Sequence, residues 1–488
     1  MAQNLLDHSV PLDINLTISD QLAVQVYEAA AISGYKHSRV PQLQMLLANL
    51  ISNHNTDLDL YTAVSQGNSI YKPTSRYNSH SIGKSFINLI RTMADDGWLE
   101  FHKGFLDRGS GTSRRSRIKP TQKLLELLAK LEALSLLVAY APNTECIVVR
   151  DEDKQATDYE DTTDVIDQRR DLTAYNNLLH RTVINHPTFP AEGVAMKDGR
   201  IFKINPTDKF VRRIYNRSSF EWIGRFYGGW WQRIPSEHKK GIHINGWPTT
   251  ELDYSSFHMV LLYALAGIDY GKEIRTDPYL LDEYDQSEQM RKLLKTLVLI
   301  AVNANSRRQA LNAIRHMINT TNRVEFSWFR EGTYNLEHIL DLFIEKHKPI
   351  EDRFFNSDEL SITNVDSDIA EYVIHYFTIN NVPILSIHDS FLVPFISENA
   401  LRYAMRKACE VVSEIRLGTS IEKTKITYEY GPIIDSKDAD RTYLDTAEEL
   451  NFVINTENND IFNQSDFSKH KEIVEKHLSL VGTYDYYV

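Results

Sequence analysis

The chain reads as an α+β protein. Its larger, C-terminal part is expected to build an antiparallel sheet flanked by helices. A smaller helical module with a two-stranded wing is expected before it. Three observations predict this. Residues 242–253 and 383–395 each spell a hairpin, helical periodicity fills the intervals around them, and residues 39–137 run helix, helix, strand, loop, strand, helix.

At 488 residues there is room for two or three domains. A content of 42% hydrophobic and 25% charged residues excludes a disordered or fibrous chain. No run approaches the roughly 18 apolar residues of a membrane span, so no membrane partner is expected. Met1-Ala2-Gln3-Asn4 lacks the basic-then-apolar layout of a signal peptide. Cys146 and Cys409 are too few for a zinc site or a disulfide framework and suit a reducing compartment, so a cytoplasmic location is expected. The net charge of −12 does not announce a nucleic-acid binder, so such binding must rest on local basic patches.

The N-terminal elements come first. In residues 39–53, Leu43, Leu46, Leu47, Leu50 and Ile51 share one helix face. A second helix is expected over Ser79–Asp95, capped by Ser79 or Ser81 and ended by Gly97. Trp98–Lys103 reads as a strand. Arg108–Lys119 reads as a flexible basic loop with a return strand, and Pro120 opens a last helix over Thr121–Leu137. Helix, helix and basic wing resemble a winged helix-turn-helix domain over residues 20–140. That resemblance implies a second helix in a DNA groove, with Arg114, Arg115 and Arg117 on phosphates.

Residues 141–208 read as an acidic linker with room for a small thumb. Eight acids fall between Asp151 and Asp167, with little apolar material among them, as in a solvated segment. Next comes a basic and aromatic stretch: Lys209, Arg212, Arg213, Arg217 and Arg225, interleaved with Tyr215, Phe220, Trp222 and Phe226. It suits a backbone track with stacking platforms, and equally an amphipathic helix with a basic outer face. Residues 436–488 form an acidic, polar extension with no assigned role.

Asn245-Gly246 is a strong hairpin signal, because both residues tolerate positive φ. Helical spacing starts at Phe257, so Asp253 falls at a strand-to-helix junction. Asp389 lies between the apolar runs 383–387 and 391–395, at a second hairpin tip. Either acid alone reads as an ordinary turn residue. As a pair they suit two-metal phosphoryl transfer, in which carboxylates on adjacent strands hold ions roughly 3.5–4 Å apart. Between them, Arg291, Lys295 and Leu299 recur at i, i+4 and i+8 of a helix. An Arg fork and a Lys point charge one turn apart can grip a triphosphate.

Together these residues resemble the palm and fingers motifs of family A DNA polymerases and single-subunit phage-type RNA polymerases. Asp253-Tyr254-Ser255 resembles motif A in its DNA-polymerase form. Arg291-xxx-Lys295-xxx-Leu299-xxx-Asn303 has the spacing of the fingers helix. His388-Asp389-Ser390-Phe391 resembles motif C, and Gly224-Arg225 the motif that contacts primer-template. The resemblance covers about residues 209–435 and implies a right-hand palm with helical fingers. It implies Asp253 and Asp389 as magnesium ligands, and Arg291 and Lys295 on the β and γ phosphates. Lys295 would also protonate the leaving pyrophosphate. Arg225 would meet the growing end, and His388 would orient the primer terminus or Asp389. Tyr254, His258, Leu299 and Asn303 would surround the nucleotide, with Arg212 and Arg213 on nucleic acid. DNA and nucleoside triphosphates are the implied partners.

The departures bear on selectivity. Leu299 and Asn303-Ala304 replace an aromatic and a Tyr-Gly. His258 stands where the family's DNA polymerases place a Glu that excludes a 2′-hydroxyl. The expectation is a template-directed DNA polymerase with weak sugar discrimination and a modest lean to dNTP. An RNA polymerase or primase, a template-independent tailing enzyme and a catalytically silent DNA-binding regulator are the alternatives.

Overall fold

The computed structural model describes residues 8–431, apart from 33–39, 68–70, 107–108, 110–112, 136–137, 197–198, 275, 322–324, 357–360 and 423. The extension at 436–488 lies outside the described residues, as does Arg108. The described part is a mixed α and β structure built on two hydrophobic cores, one N-terminal and one spanning Cys146 to Ile421. Among the described residues no helix is long and apolar enough to cross a membrane.

The N-terminal core holds β1 (Ser9–Pro11), α1 (Asp20–Ala30), α2 (Val40–Thr56), β2 (Tyr61–Val64), α3 (Lys84–Asp95), β3 (Leu99–His102), β4 (Ser116–Pro120) and α4 (Gln122–Lys130). The sheet order is β1-β2-β4-β3, with only the β1–β2 pair parallel. Helix α2 is buried along nearly its whole length and forms the centre of this core. Two expected boundaries move. Helix α3 begins five residues late, with Gly83 as N-cap and no side-chain cap. Ser79 is spent on Asn15, and Asn78 closes a turn onto the backbone of Ile82. Pro120 ends β4 rather than opening a helix, and α4 stops at Lys130, seven residues short of Leu137.

The acidic segment is ordered, although its acids remain largely exposed. In it lie β5 (Ile147–Arg150), β6 (Ala156–Thr157) and the start of α5 (Thr163–Arg181), whose Thr162 cap accepts from Val165. Arg76 reaches over from the N-terminal core to Asp158 and Asp161 and lies 3.8 Å over the Tyr159 ring. Arg169 pairs with Glu145 and Asp161. These pairs anchor Asp158 and Asp161, which composition alone does not reveal. Leu172, Tyr175 and Leu179 of α5 join the C-terminal core, so the expected thumb segment packs into the main body.

The basic and aromatic stretch is a hairpin, not a helix. β7 (Val211–Tyr215) pairs antiparallel with β8 (Ile223–Gly228) and parallel with β5. The central sheet follows: β9 (His243–Ile244) turns through Asn245 and Gly246, both at positive φ, into β10 (Trp247–Tyr254). Then come α6 (Phe257–Leu265), α7 (Glu288–Val302), α8 (Arg307–His316), α9 (Leu336–Lys346) and α10 (Ile362–Ile379). β11 (Leu385–Ile387), β12 (Ser390–Pro394), α11 (Glu398–Leu417) and β13 (Ile426–Tyr430) complete it. β10 is central, with β12 and β13 both antiparallel to it. Its fully buried Leu252 faces the equally buried Phe391 across the β10–β12 pair.

Candidate active site

Strand register brings the two acids together. Asp253 faces Ser390 across the β10–β12 pair, and Asp389 is the residue before Ser390. The β11–β12 turn is His388-Asp389, with Ile387 opposite Ser390. His388 takes φ of 57°, an uncommon conformation for a non-glycine residue, which lifts Asp389 out of the ladder beside Asp253. Ser390 Oγ donates to Glu251 Oε1 at 2.6 Å, tying β12 to β10 one step behind the acids.

Asp253 sits in a cluster of like charges. Burial raises its carboxyl first, and the charges of Asp389, Glu429 and Glu251 raise it further, to about 8; Lys295 opposes them. Its Oδ1 is buried without a hydrogen-bond partner. A divalent cation would satisfy that oxygen and cancel the repulsion. Among the described residues no group of three or more His, Cys, Asp or Glu forms a ready-made metal cage. Two carboxylates completed by substrate phosphates are the arrangement magnesium ordinarily uses.

Helix α7, capped by Ser287, presents Arg291 and Lys295 toward Tyr279. Arg291 is held by Asp277, and Lys295 acts on Asp253. Further along, Leu299 is 40% exposed, and Asn303 Nδ2 donates to the Leu299 carbonyl at 2.7 Å.

Arg225 reaches the site from β8. Gly224, at φ of 68°, makes this possible: a Cβ there would lie 2.7 Å from the Tyr215 ring. Arg225 Nη2 donates to Asp366 Oδ2 at 2.7 Å and lies 3.4 Å from His258 Nε2. His388 packs edge-on against Tyr227, and burial, followed by the Arg225 charge, lowers its pKa.

Several expected contacts fall elsewhere. Tyr254 is buried, stacks on Phe257 and donates to the Met405 carbonyl at 2.7 Å, so it supports the core and is not available to a nucleotide. Arg213 is 1% exposed and bonds Gly224, Glu371 and Asp368, so it pins the hairpin to α10 and meets no phosphate. Arg212 points the other way, over Tyr140 and Phe210. Arg117 is buried within β4; Arg115 is exposed and Arg114 half-buried near Phe105.

Asp366 was not expected from the sequence. It lies on α10 at 2% exposure among Val365, Ile369 and Ala370. An acid at helical spacing from the buried apolar positions Ile369, Ala370 and Val373 is the signal that marks it. Burial raises its carboxyl, and the Asp389 charge raises it further, so it belongs to the same cluster.

No family model matches the chain, and no curated protein matches it. Among solved structures, one similar chain is the POL domain of Pol1 from M. smegmatis in complex with DNA primer-template and dNTP, at 11% identity and a TM-score of 0.28. The likeness covers 54% of this chain and 51% of that one, so the chain spans about half the length of the structure it matches.

Proposed function

We propose that the protein is a nucleotidyltransferase that extends a nucleic-acid 3′ end with nucleoside triphosphates, most simply on a DNA primer-template. One observation carries this reading. The β10–β12 register puts Asp253 beside Asp389, with the Asp253 carboxyl raised, one oxygen unbonded and Lys295 opposite. Such a pair is costly to bury unless a cation and a polyphosphate complete it.

In this reading Asp253 and Asp389 hold magnesium. When bound, magnesium supplies positive charge to the attacking hydroxyl and to the triphosphate. Lys295 meets the negative charge that grows on the departing pyrophosphate. Arg291 adds its fork to the same phosphates when it exchanges Asp277 for them. His388, wedged against Tyr227 and neutral at physiological pH, orients the turn that carries Asp389. The N-terminal helix, helix and hairpin arrangement supports duplex binding through Arg114 and Arg115, in the manner of a winged helix.

Primer extension with labelled dNTPs and NTPs, with and without template, tests the reading. Magnesium-dependent incorporation that disappears in Asp253→Ala and Asp389→Ala is the expected result. No incorporation by the wild-type chain under any of these conditions overturns it.

A further inference from the structure

A cavity in the N-terminal module gathers positive charge that the proposed transfer does not use. β1, β2 and β4 lie side by side, and their register sets Pro11, Ala63 and Arg117 in one row across the sheet. A cavity of about 480 Å³ opens over this row. The short wing hairpin, Phe105–Leu106 paired with Ser113–Arg114, borders it through Ser113, Arg114 and the following Arg115. Gly104 holds the hairpin close to the sheet. Its N–H donates to Ser116 Oγ at 3.0 Å, and a Cβ there would lie 2.3 Å from the Arg114 carbonyl oxygen. Three arginines thus line one cavity, and among the described residues no acid lines it. Phe105 is the cross-strand partner of Arg114, whose guanidinium lies 5.9 Å from its ring, and it is 53% exposed.

We infer that this cavity binds the terminal phosphate monoester of a nucleotide, with Phe105 stacking on the attached base. A phosphate inside a duplex backbone is flanked by two sugars and carries one charge. It can meet Arg115 and Arg114 at the rim, but not Arg117, which is 4% exposed at the floor. A terminal monoester projects beyond its sugar and carries up to two charges and three acceptor oxygens, which guanidinium forks match. The exposed Phe105 ring offers a face on which any base can stack. The inference goes beyond the duplex contacts proposed for the wing and does not depend on nucleotidyl transfer. The monoester has three sources: the 5′ end of a strand, its 3′ end, and a free nucleotide.

Equilibrium binding to the full chain, read by fluorescence anisotropy, separates them. One short DNA strand is tested with a 5′-phosphate, with a 3′-phosphate and with neither. A nucleoside 5′-monophosphate and its nucleoside are compared as competitors. At least one phosphorylated member should bind roughly tenfold or more tighter than its partner, and that pair names the source. Ala63→Leu keeps every charge but fills the hollow, so it should bring the ratio to within about twofold. Phe105→Ala should weaken the phosphorylated ligand by about fivefold or more. If Ala63→Leu does not fold, a methyl ester of the terminal phosphate decides on the wild-type chain, where it should lose most of the gain. Equal binding within every pair overturns the inference. So does a gain that survives in Ala63→Leu or in the methyl ester, since general attraction between charges would then explain it. Inorganic phosphate that competes as well as the nucleotide also overturns it. None of these outcomes touches the transfer reading, which incorporation assays test separately.

Discussion

Asp253 and Ser390 are direct cross-strand partners, and Ser390 Oγ is bonded to Glu251 two residues before Asp253. The acids of two hairpins 136 residues apart in the chain are thereby held in one place by ladder register and one buried hydrogen bond. Strand and serine contacts, not the carboxylates, carry the structure here. That separates the chemistry of Asp253 and Asp389 from the stability of the sheet.

Asp253→Asn and Asp389→Ala are therefore expected to lose incorporation by about a thousandfold or more while remaining folded. For Asp253→Asn the thermal midpoint should equal or exceed that of the wild type in the absence of metal. The amide keeps the shape and removes the repulsion from Asp389, Glu429 and Glu251. Calorimetry and single-turnover kinetics on the same preparations check this. A variant that keeps near wild-type rates would remove its residue from the reaction.

Lys295→Ala should lower kcat by about a hundredfold and raise KM for the triphosphate, since the charge it meets grows toward the transition state. Arg291→Ala should act mainly on KM, because Arg291 is engaged with Asp277 before any nucleotide arrives. Steady-state kinetics over a nucleotide range distinguishes the two. Unchanged constants in both variants would make α7 a structural face.

Arg213→Ala should destabilise the fold by about 3 kcal/mol with little change in DNA affinity per folded molecule. Its fork joins the Gly224 carbonyl, Glu371 and Asp368, so the variant strips Glu371 of this partner and leaves Asp368 with Arg416 alone. Arg213→Lys should not rescue, because one ammonium cannot make all three bonds in that geometry. Denaturant titration beside a binding isotherm is the measurement.

Much of the site is legible in the sequence, and the reasons for the gaps are physical. Asn245-Gly246 and the apolar runs around Asp389 announce two hairpins, because turn chemistry and period-two patterning are local properties. Tyr254 and Arg213 are misread because side-chain direction on a strand alternates, and only the finished sheet shows which face meets the cleft. Asp366 is missed because it lies near Asp389 through tertiary packing of α10 and shares no motif with it. The order of the acidic segment is missed because Arg76, which holds Asp158 and Asp161, is far away in the sequence.

The same alternation sharpens the wing. Arg115 is exposed, Arg114 half-exposed and Arg117 buried, so two cations at most face a duplex where the sequence offers three. Replacing Arg114 and Arg115 with Ala should reduce the salt slope of duplex binding by roughly 1.8, at about 0.9 per phosphate contact. Arg117→Ala should leave that slope unchanged and lower stability. Affinities measured at several salt concentrations decide between these outcomes. An unchanged slope in the double variant would take the wing out of DNA binding.

His347 sets an acid limit on the packing around α6 and α9. It is fully buried between α6 and the 278 loop. The Pro278 carbonyl can only accept, so Nε2 carries the proton and donates at 3.0 Å; Nδ1 then accepts from the Tyr263 hydroxyl at 2.9 Å. Burial pushes its pKa down from 6.5 to about 4. The folded pKa lies below the unfolded one, so between pH 6.5 and 4 the unfolded chain binds a proton that the folded chain refuses. Stability is fully present above pH 6.5 and falls as pH drops through that window, by up to roughly 3 kcal/mol from this residue. His347→Gln should lower stability at pH 7.5, because the two bonds are imperfectly replaced, yet lose less of what remains on acidification to pH 4.5. Urea midpoints at pH 7.5, 5.5 and 4.5 give the comparison. Parallel acid losses in wild type and variant would show that the titrating group lies elsewhere.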